Sequence, residues 1–172
     1  MMCRVVHPVH FFFSMLVGLG IWVGLGAAHK SAEKPSQGAT SGTQVADFGA
    51  VPNDGKDDTK AVNAAIAACR GSDTRVLYFS GGTFDFSNIT FPSNISVVIP
   101  NGTVLKVSDG AIARFDGPFS AGLHQVFSGP GQTEFGAGAV VEVYPQWWGA
   151  SPLSSDSSPA INKAINSSPS LP

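Results

Sequence analysis

The sequence predicts an all-β domain, a solenoid of stacked strand layers that is opened by a single α-helix. Short β-prone runs follow one another between Val76 and Val107, with connectors such as Ser87-Asn88 and Pro100-Asn101-Gly102. Their spacing is too close for ordinary hairpins, whose turn signals recur about every 8–12 residues. A solenoid accepts such runs because each strand pairs with the layer above it, and asparagine at the corners tolerates a left-handed backbone.

The apolar runs predict the individual strands. Those of the first stretch are Val76–Phe79, Thr83–Phe86, Ile89–Phe91, Ile95–Ile99 and Thr103–Val107. A second stretch after Gly117-Pro118 contains Gln125–Phe127, Thr133–Phe135 and Val140–Tyr144.

The helix is predicted over Thr59–Cys69, an alanine-rich segment. One apolar stripe recurs at helical spacing and is expected to face the core: Val62, Ile66 and Cys69. Asp57 and Asp58 stand just before it. Paired acids suggest metal binding or acid-base chemistry, but capping of the helix and interaction with its dipole explain two acids at this position and are favoured.

The N-terminus differs in kind from the rest of the chain. Residues 11–28 form an apolar run that closes on Gly26-Ala27-Ala28, small residues of the type that a signal peptidase accepts. A cleaved signal peptide over residues 1–28 is favoured, which predicts a secreted, periplasmic or extracellular protein. The alternative is a retained membrane anchor over residues 11–28, since the run is long enough to span a bilayer. Residues 29–44 are polar and periodless and are interpreted as a flexible linker.

Charge and cysteine content restrict the partners. The formal net charge is −2, and no basic stripe is present, so a nucleic-acid partner is not expected. Membrane contact is expected only through the N-terminal segment. Cys69 stands alone after the leader, so the domain must be held together by packing without an internal disulfide.

An internal repeat links the two ends of the domain. Phe48-Gly49-Ala50 precedes an acidic turn and the predicted helix, and Trp148-Gly149-Ala150 precedes a similar turn and the segment Ala160–Ile165. We call residues 45–69 the first cassette and residues 146–172 the second cassette. The repeat assigns Trp148 to the position of Phe48, which is expected to be a buried plug. Trp147 and Tyr144 then remain as candidates for stacking on a sugar ring.

The segment VADFGAVPNDGKDDTKAVNAAIAAC, followed by VLYFSGGTFDF, resembles the opening of the pectate-lyase-like superfamily, in particular the domain of rhamnogalacturonase- and epimerase-like proteins. The resemblance implies a right-handed parallel β-helix over residues 45–145 that begins under a capping helix. It also implies an incomplete second capping cassette at the C-terminus. On this interpretation the following residues form the fold: Phe48, Gly49, Ala50, Asp57, Asp58, Thr59, Trp148, Gly149 and Ala150.

No catalytic centre is recognised in the chain. Members of the superfamily use clustered aspartates, or calcium held by aspartates, whereas the acids after the first cassette are single residues without paired spacing. No cofactor is predicted, and calcium is expected only if a lyase-type site exists beyond this chain. Two interpretations remain open. The first is the N-terminal part of an exported protein that acts on or binds polysaccharide and is inactive as this chain alone. The second is a non-catalytic structural or adhesion module. A homo-oligomeric state, such as a trimer, is left open.

Overall fold

The computed structural model describes residues 42–168. Within this range, ten short strands are joined by turns, and two α-helices each follow a 3-10 helix. The strands are β1 (Thr43–Gln44), β2 (Val76–Tyr78), β3 (Gly82–Phe86), β4 (Ile89–Phe91), β5 (Ser96–Ile99), β6 (Thr103–Val107), β7 (Ile112–Phe115), β8 (Phe119–Ala121), β9 (Phe127–Ser128) and β10 (Gln132–Phe135). The α-helices are α1 (Thr59–Arg70) and α2 (Ser158–Ser167), and the 3-10 helices are Val45–Phe48 and Pro145–Trp148.

The strands pair in parallel and form three sheets. Their strand orders are β1-β2-β5-β8, β3-β6-β9 and β4-β7-β10. Each strand from β2 to β7 lies beside the strand three places later in the chain, so from β2 onward strands adjacent in sequence belong to different sheets. Phe91 of β4 pairs with Phe115 of β7, which pairs with Phe135 of β10. Side chains at one register position therefore stack from strand to strand.

The inward-facing side chains of the three sheets form one apolar core. Along β7, Ala113 and Phe115 are fully buried while Ile112 and Arg114 face outward, the period of two that a strand imposes. Aromatic rings dominate this core. Four rings pack against that of Phe115: Phe91, Phe119, Phe127 and Phe135.

The predicted fold class, an all-β right-handed parallel β-helix with an N-terminal capping helix, is wrong. Helices occupy about 24% and strands about 28% of the described residues, so helix and strand contribute similar shares. The three parallel sheets are short, separate and not closed. The apolar runs identified where strands form, but the association of strands into sheets depends on contacts between distant segments, which the pattern of one chain does not specify.

The individual strands agree with the predictions more closely than the fold class does. Ile89–Phe91 and Thr103–Val107 have the predicted bounds. Val140–Tyr144, predicted as a strand, is irregular because no strand of the described residues pairs with it. Strands β7 and β8 were not predicted. In β7, alanine and arginine stand between Ile112 and Phe115 and weaken the β signal.

The first cassette packs through the predicted helix stripe but not through the predicted aromatic plug. The predicted helix is confirmed as α1, and its stripe of Val62, Ile66 and Cys69 is buried. Phe48, the expected buried plug, is 37% exposed, so that prediction is wrong. Two neighbours occupy the interior in its place: Val45 and Ala50.

The N-terminal predictions lie almost entirely outside the described residues. The signal peptide or anchor over residues 1–28 falls there, and so does the linker up to residue 41. The linker was predicted to run to Gln44, but Thr43–Gln44 form β1, so these two residues belong to a sheet and not to a linker. Across residues 42–168, no helix has the length and apolar character needed to cross a membrane.

Candidate carbohydrate-binding site

The two tryptophans of the second cassette end a 3-10 helix and point in different directions. This helix, Pro145–Trp148, is followed by Gly149 in the left-handed conformation, at φ +88°. The first cassette repeats this geometry, since the helix Val45–Phe48 is followed by Gly49 at φ +93°. A residue in this conformation turns the chain sharply, and glycine adopts it without steric cost.

Trp147 is buried, and its assignment as the exposed sugar-stacking residue is wrong. Its indole Nε1–H donates a hydrogen bond to the Gly122 carbonyl oxygen at 2.9 Å. Its ring also packs against those of Phe119 and Phe135. The repeat aligned Trp148 with Phe48 correctly, since both residues end equivalent 3-10 helices. Phe48 is itself partly exposed, so the burial inferred for Trp148 from this alignment is wrong.

Tyr144, the other predicted sugar contact, is partly buried beside Trp147. Their ring centroids are 5.4 Å apart in an edge-to-face arrangement. The Tyr144 hydroxyl donates to Glu142 Oε2 at 2.5 Å, and this hydrogen bond and the charge of the carboxylate raise the pKa of Tyr144. The structure thus brings the two predicted residues together, but with their polar groups already engaged.

Trp148 lines an open cleft, which is separate from the one that Trp147 and Tyr144 border. The cleft has a volume of about 310 Å³ and is bordered by the Trp148 ring, Gln132, Lys163 and Asn166. Trp148 is half-buried, and its ring packs against that of Phe127 at a centroid distance of 5.0 Å and an interplanar angle of 35°. The Lys163 ammonium group donates to the Gly129 carbonyl oxygen at 2.7 Å, which holds α2 against the turn after β9.

The polar residues that border the cleft beside Trp148 were not predicted, although the spacing of two of them along the sequence indicates that they lie together. Lys163 and Asn166 are three residues apart on α2 and therefore lie on the same flank of the helix. The repeat between the two cassettes concerns the apolar side of this segment and therefore does not predict its polar side. The approach of Gln132 from β10 depends on packing between α2 and that strand.

Two acids of the first cassette, Asp57 and Asp58, accept hydrogen bonds from nearby backbone and side-chain groups. Asp58 accepts hydrogen bonds from the backbone N–H groups of Val51 at 2.9 Å and Asp85 at 3.3 Å. Asp57 accepts from the Thr59 N–H at 2.7 Å and from the Ser87 hydroxyl. Burial raises the pKa of Asp57, but the hydrogen bonds from Ser87 and Thr59 outweigh it and leave the pKa below its ordinary value.

Thr59 completes this connection, since its hydroxyl oxygen accepts a hydrogen bond from the Ser87 N–H at 2.9 Å. The start of α1 is thereby fastened to β3 and the turn after it. Asp58 occupies the N-cap position of α1 without a side-chain capping bond, and it is Asp57 that caps the first N–H of the helix, at Thr59.

The other acids are distributed over different sheets. Asp85 on β3 pairs with Lys106 at 2.6 Å, and Asp116 after β7 pairs with Arg114 at 2.8 Å. Arg114 also reaches Glu134 on β10, at 3.1 Å. The described residues contain no group of three or more His, Cys, Asp or Glu side chains placed to hold a metal ion.

Comparisons with known proteins identify no relative: no family model, no curated protein and no solved structure matches the chain. The resemblance of the first cassette to pectate-lyase-like proteins therefore stays a prediction that rests on the quoted segments alone.

Proposed function

We propose that this domain binds polysaccharide without cleaving it, and that the Trp148 cleft is the binding site. The observation that carries the proposal is a partly exposed indole ring surrounded by hydrogen-bonding side chains, Gln132, Lys163 and Asn166. A sugar ring has an apolar face bordered by hydroxyl groups. An aromatic surface next to amides and an ammonium group complements both features.

The arrangement of the carboxylates supports binding over hydrolysis. Cleavage of a glycosidic bond needs two carboxyl groups that flank the bond. Both oxygens of Asp58 accept backbone hydrogen bonds, Asp85 is paired with Lys106, and Glu142 accepts from Tyr144. None of these groups borders the Trp148 cleft.

The charge of the cleft favours an acidic polysaccharide. Lys163 contributes a positive charge, and the described residues that line the cleft include no acidic side chain. An ammonium group pairs more strongly with a uronate carboxylate than with a neutral hydroxyl. We therefore expect galacturonate oligomers to bind more tightly than galactose oligomers of equal length.

Calorimetric titration of the full chain with both oligomers tests the proposal. Trp148→Ala should weaken galacturonate binding by about fivefold or more, because removal of a contacting tryptophan costs more than about 1 kcal/mol. Trp148→Phe keeps an aromatic surface on Phe127 and should retain most of the affinity. The matched control is Phe48→Ala, which removes the equivalent aromatic side chain of the first cassette.

Thermal unfolding of each variant separates loss of binding from loss of fold. Equal affinity of the wild type and Trp148→Ala would assign any sugar binding to another surface. Release of unsaturated or reducing sugar above a boiled sample would overturn the non-catalytic role.

A structural or adhesion role is the second candidate. The exposed apolar side chains of Val141, Leu153 and Ile165, at or near the second cassette, favour it, because a surface of this kind is typical of protein contacts. This role predicts that the folded chain binds neither oligomer.

A further inference from the structure

The outward face of the sheet β4-β7-β10 carries a row of polar side chains. One register position joins Thr90 of β4, Arg114 of β7 and Glu134 of β10. All three face away from the core, since the residues on either side of each of them in its strand are buried. Parallel pairing therefore places hydrogen-bonding side chains side by side at the spacing of the strands, about 4.8 Å.

A groove of about 360 Å³ lies over this row, and we call it the sheet groove. Helix α1 borders it with the exposed amide of Asn63, because α1 packs against β4. The Asn88 Oδ1 atom accepts a hydrogen bond from the Ile112 N–H at 2.9 Å, which leaves the NH2 group of Asn88 as a donor. Ile112 is 37% exposed and contributes an apolar side chain to the lining. The sheet groove thus combines an apolar surface with hydrogen-bonding groups, as the Trp148 cleft does.

The sheet groove and the Trp148 cleft meet at the boundary between β7 and β10. Gln132 lines the cleft, and Ile112, which is its partner in the register, lines the groove. Along β10, Gln132 of the cleft and Glu134 of the groove are two residues apart, so they lie on the same face of the strand. The two concavities are therefore neighbours on one surface, which runs from α2 across three strands to α1.

The sheet groove differs from the cleft in charge. Arg114 donates from Nη1 to Glu134 at 3.1 Å and from Nε to Asp116 at 2.8 Å. The cation of the groove is thus already paired with two carboxylates and attracts the carboxylate of a uronate only weakly. Amide, hydroxyl and guanidinium groups still form hydrogen bonds with the hydroxyl groups of a sugar. Lys163 of the cleft therefore carries the preference for an acidic unit, and the groove accepts sugar units without selecting their charge.

We infer that the sheet groove binds further sugar units of the same polysaccharide chain whose acidic unit stacks on Trp148. This inference rests on the proposed function of the Trp148 cleft. The face from β10 to β4 spans two strand spacings, or about 10 Å, which is longer than one sugar ring. The apolar faces of the added units contact Ile112. Their hydroxyl groups hydrogen-bond to the polar side chains of Asn63, Asn88 and Thr90. The ligand is therefore an extended chain of several units.

Calorimetric titration of the full chain with a dimer and a hexamer of galacturonate tests the inference. The hexamer should bind about tenfold or more tightly than the dimer, because its added contacts form within one binding event. Ile112→Ala should weaken hexamer binding by about threefold or more and leave dimer binding unchanged, since it removes an apolar contact of the groove alone. Asn63→Ala tests the α1 end of the groove in the same way, whereas Trp148→Ala should weaken both ligands. The matched control is Ile161→Ala, which truncates an isoleucine of similar exposure outside both concavities.

Galactose oligomers should bind more weakly at each length but show the same gain from dimer to hexamer, because the groove does not select charge. The inference is overturned if the hexamer gains only about fivefold, the factor that its five dimer-length frames give by statistics alone. It is also overturned if Ile112→Ala and Asn63→Ala bind the hexamer as tightly as the wild type, or if the gain is confined to galacturonate. These outcomes leave the Trp148 cleft in place, whereas absence of binding by either galacturonate oligomer would overturn the proposed function as well.

Discussion

Asp58 and Ser157 perform the same task at equivalent positions of the two cassettes. Asp58 accepts a hydrogen bond from the N–H of Val51, which follows Ala50. The Ser157 hydroxyl oxygen accepts one from the N–H of Ser151, which follows Ala150, at 3.3 Å. The second copy therefore retains the bond that closes the turn before the helix, although most of the acids of the first turn are absent.

We expect Asp58→Ala to lower the free energy of unfolding by about 2–3 kcal/mol, because two backbone N–H groups lose their acceptor in a largely buried setting. Ser157→Ala removes one longer bond and should cost about 1 kcal/mol or less. Urea unfolding of both variants checks this order. Equal losses of unfolding free energy for the two variants would mean that the hydrogen bond from the Asp85 N–H on β3 to Asp58 contributes little.

The cost of Asp58→Ala should also depend on pH. Burial raises the pKa of Asp58, and the charges of Asp54 and Asp85 add to this, against hydrogen bonds from Val51 and Asp85 that lower it. A carboxyl group with a raised folded pKa contributes most below its unfolded value of 3.8 and loses this contribution as pH rises through the folded pKa. Unfolding experiments should therefore show a larger cost near about pH 3 than near pH 7. A cost that grows with pH would contradict the direction of this shift.

At the scale of the element, the first 3-10 helix depends on the glycine that ends it. An added Cβ at Gly49 would meet no atom within 4 Å, so the only obstacle to a side chain is its positive φ of +93°. We expect Gly49→Ala to cost about 1–2 kcal/mol for this backbone reason. The measurement is thermal unfolding.

Gly71, which ends α1, provides the matched control. Its φ is −89°, and an added Cβ would lie 3.5 Å from the Ala68 carbonyl oxygen, an ordinary contact. Gly71→Ala should be neutral or stabilising by up to about 1 kcal/mol. If the two variants had the same effect, the left-handed turn would not be what constrains position 49.

At the scale of the whole molecule, stacked aromatic rings join the three sheets into one core. Phe115 lies at the centre of this stack, parallel to Phe91 at a centroid distance of 4.5 Å. Its other ring contacts reach Phe119 on β8 and Phe127 on β9, which belong to the two other sheets. One side chain thus contacts all three sheets.

We expect Phe115→Ala to lower the free energy of unfolding by about 3–5 kcal/mol, because the cavity opens between all three sheets. Ile112→Ala changes the same strand on its outward face and should cost less than about 1 kcal/mol. Urea unfolding compares the two. A similar cost for both variants would show that the sheets do not share this core.

The sequence by itself determined the local elements: the start of α1, the bounds of strands such as β4 and β6, and the repeat of an aromatic-Gly-Ala turn before each helix. These features depend on neighbouring residues, through helical or strand periodicity and through the glycine that each turn requires. Only the tertiary structure decided that the strands divide into three open sheets and that helices and strands occupy similar fractions of the described residues. It also decided that Trp147 is buried and Trp148 only half-buried. Each of these outcomes depends on contacts between residues far apart in the chain. Trp147 is buried because Gly122 accepts its N–H and the rings of Phe119 and Phe135 surround it, and no pattern around position 147 records those partners.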